Sequence, residues 1–220
     1  MIRRVLSMHP PDRTSRFRTV ALFAALLLAW AVPPAAAMTF STLTLPDGQR
    51  IVRAEGQVAK GDARDLRVAL QSADRDTFGN KVLALDSPGG LIVEAFAMVA
   101  VMDEERVSTL VQPGASCASA CAQILFLSGN HRTLEGSGRI GLHSCHAVGD
   151  NDRSMICNEL IAQNALARGT PYVSIMAFMH LIDPTQMRWL GAVEADCWGF
   201  LKGPPEPTLA DKPAPVKACF

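Results

Sequence analysis

The chain, 220 residues long, predicts an α/β domain with a parallel sheet. Two observations carry that expectation. Short aliphatic runs, Lys81–Leu85, Ser108–Val111 and Arg139–Leu142, alternate with stretches of helical periodicity. The runs at 81 and 108 end in Pro88-Gly89-Gly90 and Pro113-Gly114, so strand, turn and helix recur in one order, as parallel crossovers require.

Taken in order, Thr39–Leu45 alternates apolar and polar residues before Pro46-Asp47-Gly48 turns the chain. Arg50–Ala54 follows as a second strand, giving a hairpin at the sheet edge. Gly61-Asp62 opens a helix with Leu66, Ala69, Leu70 and Ala73 on one face. After the strand at 81–85, a largely buried helix is expected from Ile92 to Asp103, carried by Ile92, Phe96, Val99, Ala100 and Met102. Ala122–Leu127 reads as a short buried helix. Helices are further expected over 152–168, closed by Gly169, over 171–181, and from an Asp183-Pro184-Thr185 cap to about Ala195.

Both ends differ from this pattern. Residues 1–18 are basic, 20–32 are apolar, and Pro33-Pro34-Ala35-Ala36-Ala37 supplies small residues. That is the form of a bacterial secretory signal peptide over 1–37, cleaved after about Ala37, giving a periplasmic or secreted protein. An uncleaved anchor is the rival, though the apolar stretch is short of the roughly 20 residues a spanning helix needs. No later stretch is apolar enough to span, so no stable membrane span is expected after cleavage. The domain then runs over 38–202, and 203–220, with five prolines, forms a tail.

Removing the leader takes five arginines and one aspartate from 21 basic and 21 acidic residues, leaving 183 residues with net charge −4. No basic patch with interleaved aromatics is visible, so no nucleic-acid partner is expected. All six cysteines, at 117, 121, 145, 157, 197 and 219, follow the leader. An even count in an oxidising compartment favours disulfides. Chain order suggests 145–157 and 197–219; a 117–121 bridge requires backbone that is not regular helix. No cofactor or metal site is expected. The metal alternatives, cysteine ligation and a His143–His146 pair, lack paired Cys-x-x-Cys spacing and an obvious third ligand.

Ser119 is the candidate nucleophile, because it falls just before a buried helix and opposite a Gly-Gly turn. A serine hydroxyl reacts only with a base to take its proton and donors to meet the oxyanion. Gly89 or Gly90, with the Ala120 N–H, are the candidate donors. His143, at the end of the 139–142 strand, is the candidate base, whereas His131, His146 and His180 read as structural. Asp183 and Glu194, with Asp196 nearby, are the acids placed to orient the imidazole. Each is equally explained as a cap or a surface charge. Lysine as base is disfavoured, since no lysine lies between Ser119 and the last helix.

Ser87-Pro88-Gly89-Gly90, Gly114-x4-Ser119, Gly129-x2-Arg132 and Arg139-x3-His143, taken together, resemble the Clp protease proteolytic subunit and the wider ClpP/crotonase superfamily. The resemblance spans roughly residues 50–201 and looks closest to secreted ClpP-like periplasmic proteins with a Cys-x-Ser-Ala-Cys stretch. It implies repeated β-β-α units with a parallel sheet and C-terminal helices. It further implies Ser119 as nucleophile, His143 as general base, and oxyanion donation from Gly89 or Gly90 and Ala120. The family's catalytic aspartate falls on Met187 when aligned through Arg188-Trp189-Leu190.

The expected function is therefore a secreted serine hydrolase, a peptidase or an amide or ester hydrolase, acting on a peptide or small acyl substrate without an ATP-driven partner. Homo-oligomers are an expectation from the family. The alternative is a ClpP-fold binding or assembly module that has lost catalysis at Met187. A crotonase-type thioester enzyme is a distant third.

Overall fold

The structure is a computed structural model and describes residues 37–146 and 152–203. The expected leader up to residue 36, the tail from 204 and the 197–219 pairing with Cys219 lie outside the described residues.

The α/β class with a mostly parallel sheet is what the chain adopts. Strands β1 (Thr39–Thr44) and β2 (Arg50–Glu55) form the expected antiparallel hairpin, in register from Thr39 opposite Glu55 to Thr44 opposite Arg50. β2 then pairs in parallel with β3 (Lys81–Asp86), β3 with β4 (Val107–Val111), and β4 with β6 (Arg132–Leu134), in the order β1-β2-β3-β4-β6. A second sheet is ordered β5-β7-β8, with β5 (Ser116–Ala118) parallel to β7 (Arg139–Leu142) and β7 antiparallel to β8 (Arg188–Leu190). A bridge from Ser87 to Cys117 ties the carboxyl end of β3 to β5.

Helix α1 (Asp62–Ala69) continues as a 3-10 turn at Leu70–Ser72, and both Leu66 and Leu70 are fully buried. Helix α2 (Ile92–Glu105) buries Ala95, Met98, Val99, Val101 and Met102. Phe96 is only half-buried and Ala100 is exposed, so this helix hides one face and not most of its circumference. Helices α3 (Met155–Ala167) and α4 (Tyr172–Leu181) agree with expectation. Among the described residues, no helix is long and apolar enough to cross a membrane.

Two expected helices are different. In place of a regular helix at 122–127, the chain makes a π-helical turn, Cys121–Leu125, followed by a 3-10 turn, Phe126–Ser128. The expected helix from 183 to 195 does not form. Asp183 Oδ1 accepts from the N–H and hydroxyl of Thr185 at 3.1 and 2.9 Å, which closes a local turn. Arg188–Leu190 then adds to β7 as an edge strand, and Trp189 lies under the Arg139 guanidinium at 4.3 Å. Only α5 (Ala192–Cys197) is helical. Cross-strand pairing outweighed a capping signal that short polar segments also use for turns.

Among the described residues, disulfides join Cys117 to Cys121 and Cys145 to Cys157, with Cα separations of 5.2 and 5.9 Å. The 145–157 bridge closes a loop with a sequence separation of 12. Replacing both cysteines by serine should lower stability by about 3 kcal/mol through the entropy returned to the unfolded chain. Urea unfolding at equilibrium reads this directly; a change below about 1 kcal/mol would place the bridge outside the stability of the domain.

Candidate active site

Parallel strands deliver their following residues to one edge of a sheet, where open α/β folds place ligands. The register pairs Ala118 with Gly141, so Ser119 and His143 leave the carboxyl ends of neighbouring strands. Ser119 N–H donates to Gly141 O at 3.0 Å, and Gln123 N–H donates to Ser119 O at 2.8 Å. Both peptide groups beside Ser119 are thereby fixed.

Ser119 has φ +55°, in the left-handed region that L-residues other than glycine rarely occupy. The conformation costs roughly 1–2 kcal/mol and persists only where surrounding contacts over-determine it, a condition common at functional sites. The π-helical turn that follows is another local irregularity frequent at such sites. Ser119 does not cap that turn through its side chain; the residue is half-buried, and its hydroxyl makes no hydrogen bond among the described residues.

The Gly-Gly turn lies against the serine. A Cβ on Gly89 would sit 2.8 Å from Ser119 Cβ, 2.9 Å from Ala120 N and 2.6 Å from Ala118 O, so only glycine permits this approach. The Gly89 N–H is already committed to Ser87 Oγ at 3.1 Å, and that bond is buried. Gly89 O accepts from Val58 N–H at 2.8 Å. Because the Gly89–Gly90 peptide is trans and Gly89 O faces Val58 N–H, the Gly90 N–H points away from Val58. The Gly90 and Ala120 N–H groups find no acceptor among the described residues. Of the three candidate donors, these two are available and Gly89 is not.

His143 is buried, and its Nδ1 has no hydrogen-bond partner among the described residues. Burial, reinforced by the nearby His146 ring at 6.1 Å, pulls the imidazole below its ordinary value, and the backbone of Ser144 and Pro184 partly offsets this. The ring is therefore neutral at pH 7, the form a general base requires. No hydrogen bond joins it to Ser119 Oγ.

No hydrogen bond joins either candidate acid to the imidazole. Asp183 is exposed, and its bonds to Thr185 hold its carboxyl below the usual range. Glu194 accepts from Arg188 at 2.9 Å, in an ion pair about half exposed on both sides. The 182–184 turn does pass beside His143, since Ser144 N–H donates to Ile182 O at 3.0 Å, but it presents backbone. Met187 lies against β7, its Sδ 2.7 Å from where a Gly141 Cβ would stand.

Two supporting residues were not singled out from the sequence. Buried Gln123 donates its side-chain amide to His143 O at 2.9 Å. Fully buried Asn158 accepts the Cys145 N–H at 2.7 Å and donates to Ser144 Oγ at 3.0 Å. The two amides clamp the His143–Cys145 backbone from opposite elements, the π-turn and α3. Their only signal is a polar residue within an apolar helical run. Arg132 is also buried, donating to Leu127 O at 2.9 Å and Thr170 Oγ1 at 2.8 Å, and desolvation lowers its guanidinium to about 10.

Of the other described histidines, His131 and His180 have partners away from this arrangement, whereas the His146 ring stands near His143. His131 packs edge-on against Phe78 at 5.0 Å, and His180 O accepts from Arg153 at 2.7 Å. Among the described residues, no three His, Cys, Asp or Glu side chains are grouped to hold a metal ion.

No family model matches the chain. No curated protein matches it either. Among solved structures it is similar to the ClpP protease catalytic domain from Plasmodium falciparum, with a TM-score of 0.49 and 17% identity. That similarity covers 70% of this chain and 85% of the other.

Proposed function

We propose that this chain is a secreted ClpP-like serine hydrolase, a peptidase or an amide or ester hydrolase, working with a Ser119–His143 dyad. The observation that carries the reading is the left-handed Ser119, placed between the Gly89-Gly90 turn and the strand that ends at His143. The ordered motifs from Ser87 to His143 support it. The two disulfides are consistent with an oxidising compartment and hence with the leader expected over 1–37.

In the reaction, Ser119 Oγ attacks the acyl carbon of a peptide or small ester while His143 takes its proton. The Gly90 and Ala120 N–H groups meet the negative charge that develops on the carbonyl oxygen. The imidazolium then returns its proton to the leaving amine or alkoxide, and water repeats the sequence to free the enzyme. Approach of substrate must bring Ser119 Oγ and the imidazole into contact, as catalytic hydrogen bonds often tighten only in the complex. Without a carboxylate behind His143, turnover is slow.

Hydrolysis of activated esters against pH tests this. The active form is the neutral imidazole, so kcat/KM rises with pH through the His143 pKa and levels off above it. That limb should have its midpoint below about 6.5, the ordinary histidine value, and both Ser119→Ala and His143→Ala should remove it. A rate unchanged in either variant would contradict the dyad. The same depressed pKa makes the unfolded chain bind more protons on acidification, so folding stability falls below about pH 6.5 until the folded-state pKa is passed.

A second reading is a binding or assembly module that keeps the fold without catalysis. It is favoured by one observation, the buried His143 Nδ1 that no carboxylate meets. The two readings part at the serine: a binding module has no reason to retain a reactive Ser119.

A further inference from the structure

Cys117 and Cys121 stand two residues before and two residues after Ser119, and both are fully buried. Their Cα atoms are 5.2 Å apart. An extended chain would carry residues four apart to about 13 Å, and one continuing as α-helix would rise about 6 Å. The segment does neither. It ends β5 at Ala118, reverses at the left-handed Ser119 and enters the π-turn at Cys121.

We propose that the Cys117–Cys121 disulfide is a positioning element for the nucleophile, holding Ser119 in its left-handed conformation and setting the direction of the Ala120 N–H. This deepens the hydrolase reading and rests on it. Cys117 is anchored on both sides, by β7 and by the bridge to Ser87, so it is a fixed point from which the tether acts. Cys121 is buried at the start of the π-turn, two residues before the Gln123 that clamps His143. The tether excludes the extended path that β5 would otherwise continue. Its short span also keeps Ser119 and Ala120 close against Gly89, where even a Cβ would collide with Ser119 Cβ and Ala120 N.

The test compares wild type with Cys117→Ala/Cys121→Ala, and with Cys117→Val/Cys121→Ala, which restores buried volume should the first not fold. Leu70→Ala serves as a control, since it empties a fully buried position outside the site and lowers stability without touching the loop. Two readouts are taken at a temperature where all variants are folded. The first is the rate of fluorophosphonate labelling, with kcat and KM for an activated ester. The second is amide hydrogen exchange at Gln123, whose N–H is bonded to Ser119 O.

Loss of the bridge should slow labelling at least tenfold, with the loss in kcat and not in KM, and should lower Gln123 protection at least tenfold. Leu70→Ala should do neither. Labelling and Gln123 protection equal to wild type would overturn the proposal while leaving the hydrolase reading intact. If wild type itself does not label, the hydrolase reading fails and hydrogen exchange alone decides whether the bridge sets the Ser119 conformation.

Discussion

Gly89→Ala should lower Ser119 reactivity by about 10²-fold or more, the scale of a misplacement near 1 Å. The added methyl meets backbone, Ala118 O at 2.6 Å and Ala120 N at 2.9 Å, together with Ser119 Cβ at 2.8 Å. None of these is the far end of a flexible side chain that could swing aside. The residue also holds φ +93°, which alanine adopts only under strain. Relief must come from moving the turn away from the serine, which separates the Gly90 N–H from the Ala120 N–H. The measurement is fluorophosphonate labelling rate beside a thermal melt. A variant that remains folded and labels at the wild-type rate would remove the turn from the site.

Met187→Asp should act in the opposite direction and raise kcat/KM at least tenfold. Loss of a triad carboxylate can cost on the order of 10⁴ in turnover, so part of that is recoverable where a neutral side chain stands in its place. Met187 contacts the Gly141 position on β7, two residues before His143 in the chain. A carboxylate there would favour the imidazolium and raise the His143 pKa. The acid limb of the pH profile should then move to higher pH together with the gain in rate. Met187→Asn supplies the control: it matches the shape without the charge and should give neither effect. An aspartate variant with unchanged rate and unchanged limb would mean that residue 187 does not reach the imidazole.

The parallel sheet was legible because its strands are short, aliphatic and closed by glycine or proline, and because burial on both faces leaves them little chemical freedom. β5 and β6 were not, since three residues such as Ser116–Ala118 carry no periodicity to read. β8 was missed for a related reason: Asp183-Pro184-Thr185 uses the residues of a helix cap to close a turn. Within the site, Ser119, His143 and the Gly-Gly turn could be named from spacing. The distinction between Gly89 and Gly90 could not, because it depends on Ser87 Oγ taking one N–H and leaving the other. The partners of Asp183 and Glu194 were equally out of reach, since both lie in the expected region and their bonds to Thr185 and Arg188 leave no mark in the sequence. Gln123 and Asn158 illustrate the converse, where buried amides in apolar helices mark positions that must satisfy a backbone elsewhere.

The most direct measurement is peptide mapping by mass spectrometry after the protein lacking residues 1–37 is treated with a fluorophosphonate. A single adduct on Ser119, lost in Ser119→Ala and strongly slowed in His143→Ala, is the expected result. No adduct at any pH between 6 and 9, or an adduct on another serine that persists in Ser119→Ala, would contradict the assignment of Ser119 as the nucleophile.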